Sequence, residues 1–240
     1  MNRFTVEVIS QTLNPQQVIY AGMHQDYAEE FVAHDRDHWP NEARCGDIVV
    51  TNLLKGGRGH YGPLEHPQIV LNIGWFPHST MQQIRTHRVG LSFDVQSFRY
   101  TGQRILDVVE GKRDVEEVFY LRPLGFYTDR QGKKYEYTKA QRQQDVDWCL
   151  EASRRYQARI QQGFSEEHAR GLIPFDIRQH WVMSANVRSL MHLLDLRWKA
   201  DAQLEAQKMC ELIWPHFQAW VPAIAAWYEE NRMKKARLAP

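Results

Sequence analysis

The chain has 240 residues, of which 43% are hydrophobic, which is enough for one substantial core in a single domain spanning residues 1–240. Its 30 lysines and arginines against 29 acids leave a formal net charge of +1, which argues against broad electrostatic binding to nucleic acid or membrane surfaces. No secretory or membrane-spanning apolar run is present, and three widely spaced cysteines are typical of a reduced, cytoplasmic protein. Anion binding should therefore be local.

The first third of the chain mixes strand and helix patterns. FTVEVI alternates as a short strand, EARCGDIVVTNLL has helical spacing, and QIVLNIGWF has the composition of a buried strand. Pro77 ends that strand, and Ser79 is a predicted N-cap for a short helix through TMQQIRTH. This helix would place Gln83 and His87, four residues apart, on one face.

The middle of the chain predicts two extended segments followed by a long helix. EEVFYLRP has a strand composition, and GFYTDRQGKKYEY predicts a hairpin that turns near residues 129–132. The long helix is predicted over about Lys139–Gln162, with Gly163 as its stop signal. Ser165 is the predicted N-cap of a short helix that follows.

Helical patterns dominate the last third. Helices are predicted over roughly residues 175–194 and 202–213, and residues 227–240 are expected to include a frayed basic tail. Because strands come mostly first and helices later, the order favours an α+β fold in which a mostly antiparallel twisted sheet packs with long helices.

A glycine-rich loop contains two misleading motifs. GRGHYG (residues 57–62) matches the dinucleotide fingerprint G-x-G-x-x-G in letters, but no long helix follows it and no acid lies about 20 residues on. In HYGPLEH, His60, Glu65 and His66 are potential metal ligands, yet Pro63 prevents the helix that a zincin motif requires. We predict no metal site. The residues alone leave open a loop that presents His60 and Glu65 to a ligand and a purely structural loop.

Residues 82–104 contain a local excess of positive charge that the whole chain does not have. Against one acid, Asp94, they hold His87 and four arginines, namely Arg85, Arg88, Arg99 and Arg104. Arginine is favoured where phosphate or carboxylate must be held in a defined geometry. A single arginine here would most simply be a solvated side chain on a strand edge. The density of arginines beside hydroxyl residues favours an anion-binding function instead.

Two further patches lie in the later helical region. In SANVRSLMHLLDLR, Arg188, His192 and Asp195 share one helix face, which is most simply a solvated ladder of ion pairs. Asn186 falls within the predicted helix at a small cost in propensity that the sequence does not explain. Arg170, in SEEHARGLIP, closes a predicted short helix and is by itself most simply structural.

In combination and order, these patches resemble the flavin-dependent thymidylate synthase family, the class that works without a catalytic cysteine. The family signature is R-H-R, seven residues and S, usually ending S-x-R-Y. This chain reads THR (residues 86–88), eight residues, and SFRY (residues 97–100). EHARGLIP, NVRSLMHLLDLR and AQ are very similar to the family's C-terminal core, and GHYGPLEH is similar to its upstream loop. The likeness covers residues 59–203.

The resemblance implies reductive methylation of dUMP to dTMP, with 5,10-methylenetetrahydrofolate as carbon donor, tightly bound FAD, and NADPH as reductant. It also implies a homotetramer with shared active sites. The implied FAD contacts are Gly62, Thr86, His87, Arg88, Asn186, Arg188 and His192. The implied dUMP contacts are Gln83, Gln96, Ser97, Phe98, Arg99, Arg170 and Arg197. Arg197 is also the implied catalytic residue, because it matches the family position that favours ionisation of the uracil ring.

The chain departs from the family pattern in four respects. Thr86 stands where the signature usually has arginine, with Arg85 one place earlier, and the signature loop is one residue longer. Val95 stands where glutamate is usual, and Asp201 where histidine is frequent. No step of the implied reaction needs a thiol, so we expect three residues to be dispensable for catalysis, namely Cys45, Cys149 and Cys210.

Other functions are compatible with the residues alone. A nucleotide- or RNA-binding protein on the same scaffold would stack bases on Phe93, Phe98 or Tyr100 beside the arginines. A flavoprotein oxidoreductase would consume NADPH without methylating dUMP, and a metal-dependent hydrolase ranks last. A thymidylate synthase explains the arginine cluster best, because its nucleotide, flavin and folate ligands are all polyanions.

Overall fold

The computed structural model describes residues 3–56, 60–129 and 131–235. The strands in this part of the chain are β1 (Thr5–Gln11), β2 (Gln68–Pro77), β3 (Leu91–Val95), β4 (Gly125–Thr128), β5 (Lys134–Tyr137) and β6 (Arg178–Asn186). Its α-helices are α1 (Pro15–Gln25), α2 (Glu42–Val49), α3 (His78–Ile84), α4 (Gln103–Val109), α5 (Val115–Val118), α6 (Lys139–Gln161), α7 (Glu166–Ala169), α8 (Val187–Arg197), α9 (Leu204–Trp220) and α10 (Pro222–Asn231).

The described strands form two sheets. Four strands form an antiparallel sheet in the order β1-β2-β6-β3. β4 and β5 form a separate antiparallel hairpin, in which Gly125 is opposite Tyr137 and Thr128 is opposite Lys134. The predicted α+β class with an antiparallel sheet is therefore confirmed. None of the described helices is long and apolar enough to cross a membrane.

Backbone contacts divide the described chain into two compact units. Unit 1 consists of residues 3–4, 74–83 and 94–181, and unit 2 consists of the remaining described segments, 5–73, 84–93 and 182–235. Each unit is thus assembled from three separate stretches of sequence. The expectation of one domain over residues 1–240 stays a prediction.

The core of unit 1 forms where α4 and α6 meet. Its apolar cluster consists of Ile105, Val108, Val118, Phe119, Cys149, Tyr156, Ala169 and Ile177. At the start of α4 the backbone of Gly102 lies so close to α6 that an added Cβ would be 2.1 Å from the Tyr156 hydroxyl. Glycine is required there because any side chain would push the two helices apart.

The core of unit 2 packs the C-terminal helices against β1. His216 and Trp220 on α9 bond the strand backbone, through His216 Nε2 to the Val6 carbonyl at 3.0 Å and Trp220 Nε1 to the Thr12 carbonyl at 3.1 Å. Phe217, between them, is fully buried. These side chains fix α9 beside β1 by donating ring N–H groups to carbonyls in the strand and just after it, and the Trp220 ring is buried.

Several predicted elements are confirmed. α6 begins at a capping box in which Thr138 accepts from the Gln141 N–H and the Gln141 side chain accepts from the Thr138 N–H. β4 and β5 form the predicted hairpin, in which the Gly132 N–H donates to the Asp129 carbonyl at 3.0 Å and Gly132 adopts φ +85°. Ser165 caps α7 by accepting from the His168 N–H. The predicted helix over EARCGDIVVTNLL is α2 continued by one π-helical turn.

Other local predictions are wrong. EEVFYLRP is not a strand: α5 forms there because Asp114 caps it, accepting from the Glu116 N–H at 2.8 Å. α3 begins at His78 and ends at Ile84, so Ser79 is not its N-cap, and the shared helix face predicted for Gln83 and His87 does not exist.

The largest error concerns residues 175–194, predicted as one helix. Residues 178–186 are strand β6, whose inward side chains alternate as Gln179, Trp181, Met183 and Ala185, and only residues from Val187 onward are helical. β6 is a central strand with neighbours on both sides, so backbone pairing along both edges outweighs its local helical propensity.

The C-terminal helices are longer than predicted. α9 continues through Pro215 to Trp220, beyond the predicted end at residue 213. Residues 227–231, expected to belong to a frayed tail, lie in α10, and Tyr228 is fully buried. The final segment, residues 236–240, lies outside the described residues.

Candidate functional site

The start of α8 explains why asparagine occupies position 186. Asn186 is the N-cap of this helix, and its side chain accepts from the Ser189 N–H at 2.8 Å. The apparent propensity cost in the sequence is therefore a stabilising cap. The same residue donates its backbone N–H to the Gly90 carbonyl at 3.4 Å. This hydrogen bond joins the signature stretch (residues 86–100) to the start of α8.

Gly90 is sterically required by this junction. It adopts φ +67°, and an added Cβ would lie 2.1 Å from Ser189 Oγ and 2.4 Å from Asn186 Nδ2. Gly111 has nearly the same backbone angle, φ +69°, but an added Cβ there would meet nothing within 4 Å. The two glycines thus separate the cost of the left-handed backbone from the cost of the clash.

We expect Gly111→Ala to lower the free energy of unfolding by about 1–2 kcal/mol, the cost of the left-handed conformation. Gly90→Ala should lower it by about a further 1–3 kcal/mol, because overpacking adds to the same backbone cost. Urea titrations of both variants measure the difference. Equal losses in the two variants would mean that the Gly90 junction has room that the structure does not show.

Arg197, at the last turn of α8, is bonded to the signature stretch. Its Nε donates to His87 Nε2 at 2.9 Å, and its Nη2 lies 3.4 Å from Thr86 Oγ1. Nη1 makes no hydrogen bond with a described residue, so this N–H group can donate to a ligand. Thr86, which replaces the usual arginine of the signature, therefore takes part in positioning Arg197.

His87 is held as a neutral acceptor. It is only 7% exposed, and burial, then Arg197, then His192 lower its pKa to about 4. A neutral ring that accepts at Nε2 carries its proton on Nδ1. The ring of His192 meets that of His87 edge to face, with centroids 5.5 Å apart.

The lowered pKa of His87 predicts a pH-dependent stability. Its folded pKa of about 4 lies below the ordinary value of 6.5, so the unfolded chain binds more protons between these values. Stability should be complete above pH 6.5 and fall towards pH 4, by about 3 kcal/mol in total. We expect His87→Gln to abolish this part of the pH dependence and His34→Gln, at an exposed position, to retain it. Urea titrations of both ligand-free variants at pH 7 and 4.5 measure the loss of stability. If His87→Gln loses as much stability at pH 4.5 as His34→Gln does, the prediction is wrong.

The other residues implied for flavin binding also lie in unit 2. Arg188 Nη1 donates to Glu65 Oε1 at 2.6 Å, which ties α8 to the 3-10 turn Gly62–Glu65. A Cβ at Gly62 would meet no atom of the described residues within 4 Å. Arg88 is exposed and makes no hydrogen bond with a described residue.

The predicted ladder of Arg188, His192 and Asp195 does not exist as a solvated face. Asp195 is 1% exposed, accepts from the Tyr228 hydroxyl at 3.0 Å and forms an ion pair with Arg232. It is therefore part of the core of unit 2, where α10 satisfies its charge. Of these three residues, only Arg188 and His192 remain candidates for flavin binding.

Most of the residues implied for dUMP binding lie in unit 1. The backbone turns sharply after Gln96: Ser97 Oγ accepts from the Arg99 N–H at 3.4 Å, and the Ser97 carbonyl accepts from Thr101 Oγ1 at 3.0 Å. Phe98 is half-buried in this turn. Gln83 is half-buried on α3, and the Gln96 N–H donates to the His180 carbonyl at 3.0 Å.

Arg99 and Arg170 are brought to the same part of unit 1. Arg99 Nη1 donates to Glu167 Oε1 at 3.0 Å, which joins the turn to α7, and Arg170 is the residue that ends α7. The Arg170 side chain is exposed and makes no hydrogen bond with a described residue, so the structure gives no support to a helix-capping role for it. Exposed ion pairs such as Arg99–Glu167 contribute little, so a phosphate can displace the glutamate.

Unit 1 also contains an aromatic cavity that the sequence did not reveal. It has a volume of about 310 Å³ and is lined mainly by β4, β5 and α6, with Tyr127, Tyr135 and Trp148 among its walls. Its carboxylate Asp145 accepts from the Tyr137 hydroxyl at 2.6 Å. A second carboxylate in its wall, Asp176, accepts from the Ser79 N–H at 3.3 Å, so both of these acids already have partners within the protein.

The described residues contain no group of three or more His, Cys, Asp and Glu side chains placed to hold a metal ion. His60 instead lies 3.6 Å from Asp26, and Glu65 binds Arg188. The cysteines are all buried free thiols. Burial raises the pKa of Cys45 to about 11 and that of Cys149 to about 12. Their thiolates are thus disfavoured, in line with the prediction that no cysteine acts as nucleophile.

Comparison with known proteins gives consistent matches along the chain. Residues 7–223 match the family model of the thymidylate synthase complementing protein. Flavin-dependent thymidylate synthases from Halobacterium salinarum and Haloarcula marismortui are 32% and 30% identical to the chain, over 98% of its length and 99% of theirs.

Solved structures share the fold. The UMP/dUMP methylase PolB from Streptomyces cacaoi, bound with 5-Br dUMP, matches with a TM-score of 0.76 at 20% identity, over 99% of this chain and 97% of that one. Thymidylate synthase X from Helicobacter pylori, with FAD and dUMP, matches with a TM-score of 0.66 at 16% identity, over 92% of this chain and 99% of that one.

Proposed function

Because the chain belongs to the thymidylate synthase complementing protein family, we propose that it is a flavin-dependent thymidylate synthase that methylates dUMP to dTMP. The observation that carries this proposal is the 32% identity to a flavin-dependent thymidylate synthase over almost the full length of both chains. Full-length similarity includes the signature stretch and α8, which the structure joins through Gly90 and Arg197.

The residues of unit 2 fit a flavin dinucleotide. Arg88 offers an exposed guanidinium with no hydrogen-bond partner among the described residues, and no described atom lies within 4 Å of a Cβ placed at Gly62. α8 presents the positive end of its dipole at Asn186. We assign FAD binding to these residues together with Thr86, His87, Arg188 and His192. FAD in its reduced form supplies the hydride.

The residues of unit 1 fit the nucleotide substrate. Arg99 and Arg170 are both exposed arginines: Arg99 pairs with Glu167 in α7, and Arg170 follows the last residue of this helix. Guanidinium groups bind phosphate through paired hydrogen bonds. We assign the remaining dUMP contacts to Gln83, Gln96, Ser97 and Phe98. The half-buried side chains among them can surround the base.

Arg197 is assigned the catalytic role. Its Nη1 can donate to a carbonyl oxygen of uracil while Nε stays bonded to neutral His87. A fixed cation at that oxygen stabilises the negative charge that develops when the ring ionises and C5 becomes nucleophilic. His87 contributes by accepting from Arg197 without adding a second positive charge, because its pKa is lowered to about 4.

We propose the two co-substrates from the family resemblance. A methylene group carried by 5,10-methylenetetrahydrofolate is one hydride short of a methyl group, so a reductant is required, and we assign NADPH to that role. From the family resemblance we also propose a cytoplasmic homotetramer with active sites shared between subunits.

The visible spectrum of the purified protein tests the proposal. We expect a bound-flavin spectrum that bleaches when NADPH is added anaerobically, and NADPH oxidation that depends on dUMP and yields dTMP when methylenetetrahydrofolate is present. UMP, which differs from dUMP only at the 2′ position of the sugar, is the matched control for recognition of the sugar. A protein that is colourless and takes up no FAD would contradict the proposal, and bleaching without dTMP formation would indicate a different flavoprotein.

A further inference from the structure

Arg104 is a buried cation on α4. Its side chain is only 9% exposed. Two of its donor atoms, Nε and Nη2, are buried and make no hydrogen bond with any described residue. Buried arginines in folded proteins are normally paired with an acid or with carbonyl oxygens, because an unpaired buried charge is strongly destabilising.

Among the described residues, no acid forms an ion pair with Arg104. Its pKa is lowered to about 10 by burial and then by Arg113, which is another cation, and burial followed by Arg104 lowers the pKa of His180. The nearest acid along α4, Asp107, already accepts from Gln103 at 3.0 Å and lies 3.7 Å from Arg113. In the described part of unit 1 the guanidinium therefore lacks a compensating carboxylate.

The position of Arg104 connects it to the dUMP residues. Its guanidinium lies over the ring of Phe98, with Cζ 5.5 Å from the ring centroid, and Phe98 belongs to the Ser97–Arg99 turn. In the same stretch, Gln96 Oε1 is a buried acceptor without a partner among the described residues. Both side chains thus lie in the part of unit 1 that holds the residues implied for dUMP binding, and both lack a partner among the described residues.

We propose that Arg104 is a further substrate-binding residue, whose guanidinium donates to the phosphate oxygens of the bound pyrimidine nucleotide. This inference rests on the proposed function, since it assigns Arg104 to the same substrate. The phosphate is the group concerned because it is the part of dUMP that is anionic at neutral pH, and arginine matches its geometry with two parallel N–H groups.

The test compares dUMP with deoxyuridine, which has the same base and sugar but no phosphate. Both are titrated calorimetrically into the full-length wild type and into Arg104→Met, which has a similar volume without the charge. We expect Arg104→Met to bind dUMP about 10–100-fold more weakly and deoxyuridine unchanged. Ligand-free Arg104→Met should melt at the same or a higher temperature than the wild type, because an unpaired buried charge has been removed. Arg113→Met, next to it, is the control and should bind dUMP normally.

Three results would overturn the inference. In the first, Arg104→Met and a second variant, Arg104→Gln, bind dUMP as tightly as the wild type. In the second, both variants lose affinity for dUMP and deoxyuridine equally, which would indicate a packing role. In the third, size-exclusion chromatography shows that the variants dissociate while keeping normal dUMP affinity, which would assign Arg104 to an acid of a partner subunit. A wild type that binds neither compound would overturn the proposed function together with this inference, so the two failures are distinguishable.

Discussion

Arg197→Met is expected to lower kcat for dTMP formation by about 10²–10³-fold, the usual effect of removing one donor to a developing anion. Arg197 is half-buried, and its Nε is fixed on His87 at 2.9 Å, so its charge acts where water is largely excluded. KM for dUMP should change less than kcat, because the interaction strengthens as the ring ionises. Steady-state assays with saturating NADPH and folate measure both constants.

Two further variants separate chemistry from folding in this experiment. Arg155→Met removes an exposed arginine on α6 that pairs with Glu151 at 2.8 Å, and it should leave kcat unchanged. Arg197→Lys keeps the charge but loses the planar fork, so we expect an intermediate rate. The pKa of His87, followed by NMR, should rise in Arg197→Met because a neighbouring cation is gone. Near-normal kcat in Arg197→Met would exclude the assigned catalytic role.

The second large effect concerns Arg99 and the phosphate of dUMP. We expect Arg99→Met to weaken dUMP binding by about 10–100-fold, since charge-assisted hydrogen bonds contribute about 1.5–3 kcal/mol, with kcat changed little. In the free protein Arg99 is paired with Glu167 at 3.0 Å, but both side chains are about half exposed, so that pair contributes little. Calorimetric titration with dUMP measures the change in Kd.

Glu167→Gln is the matched control for Arg99→Met. It removes the same ion pair but leaves the arginine in place, so dUMP should bind as well as in the wild type or slightly more tightly. If both variants weaken binding equally, the ion pair positions α7 and Arg99 does not reach the phosphate.

The comparisons do not favour the rival functions considered for this sequence. A nucleotide- or RNA-binding protein without flavin chemistry is disfavoured by full-length similarity to flavin-dependent enzymes. A metal-dependent hydrolase would be built on His60, Glu65, His66 and His87, and the described residues contain no group of three or more such side chains placed to hold a metal ion.

Local signals in the sequence were sufficient for elements whose stability is local. The β4–β5 hairpin, α6 with its capping box at Thr138, and α7 with its cap at Ser165 all form where turn and cap residues predict them. The α+β class followed from the order of such elements. The order of motifs from GHYGPLEH to NVRSLMHLLDLR was likewise enough to identify the family, since it needs no three-dimensional information.

Tertiary structure decided what depends on neighbours that are distant in the chain. Residues 178–186 carry a helical pattern but form a central strand, because β2 and β3 supply backbone partners on both edges. Asn186 became a helix cap only because that strand ends there. The sequence predicted Asp195 to be a solvated acid, but in the structure Tyr228 and Arg232 of the C-terminal segment bind its carboxylate.

The candidate site divides in the same way. The sequence by itself determined which residue types could bind polyanions, because arginine density and motif order are properties of the chain alone. Only the tertiary structure showed that Arg197 bonds His87, 110 positions away. It alone also showed that Arg104 is buried with no acid paired to it in the described part of the chain. Burial and pairing depend on which segments of the folded chain become neighbours, and those contacts set the pKa of His87 and the unpaired charge of Arg104.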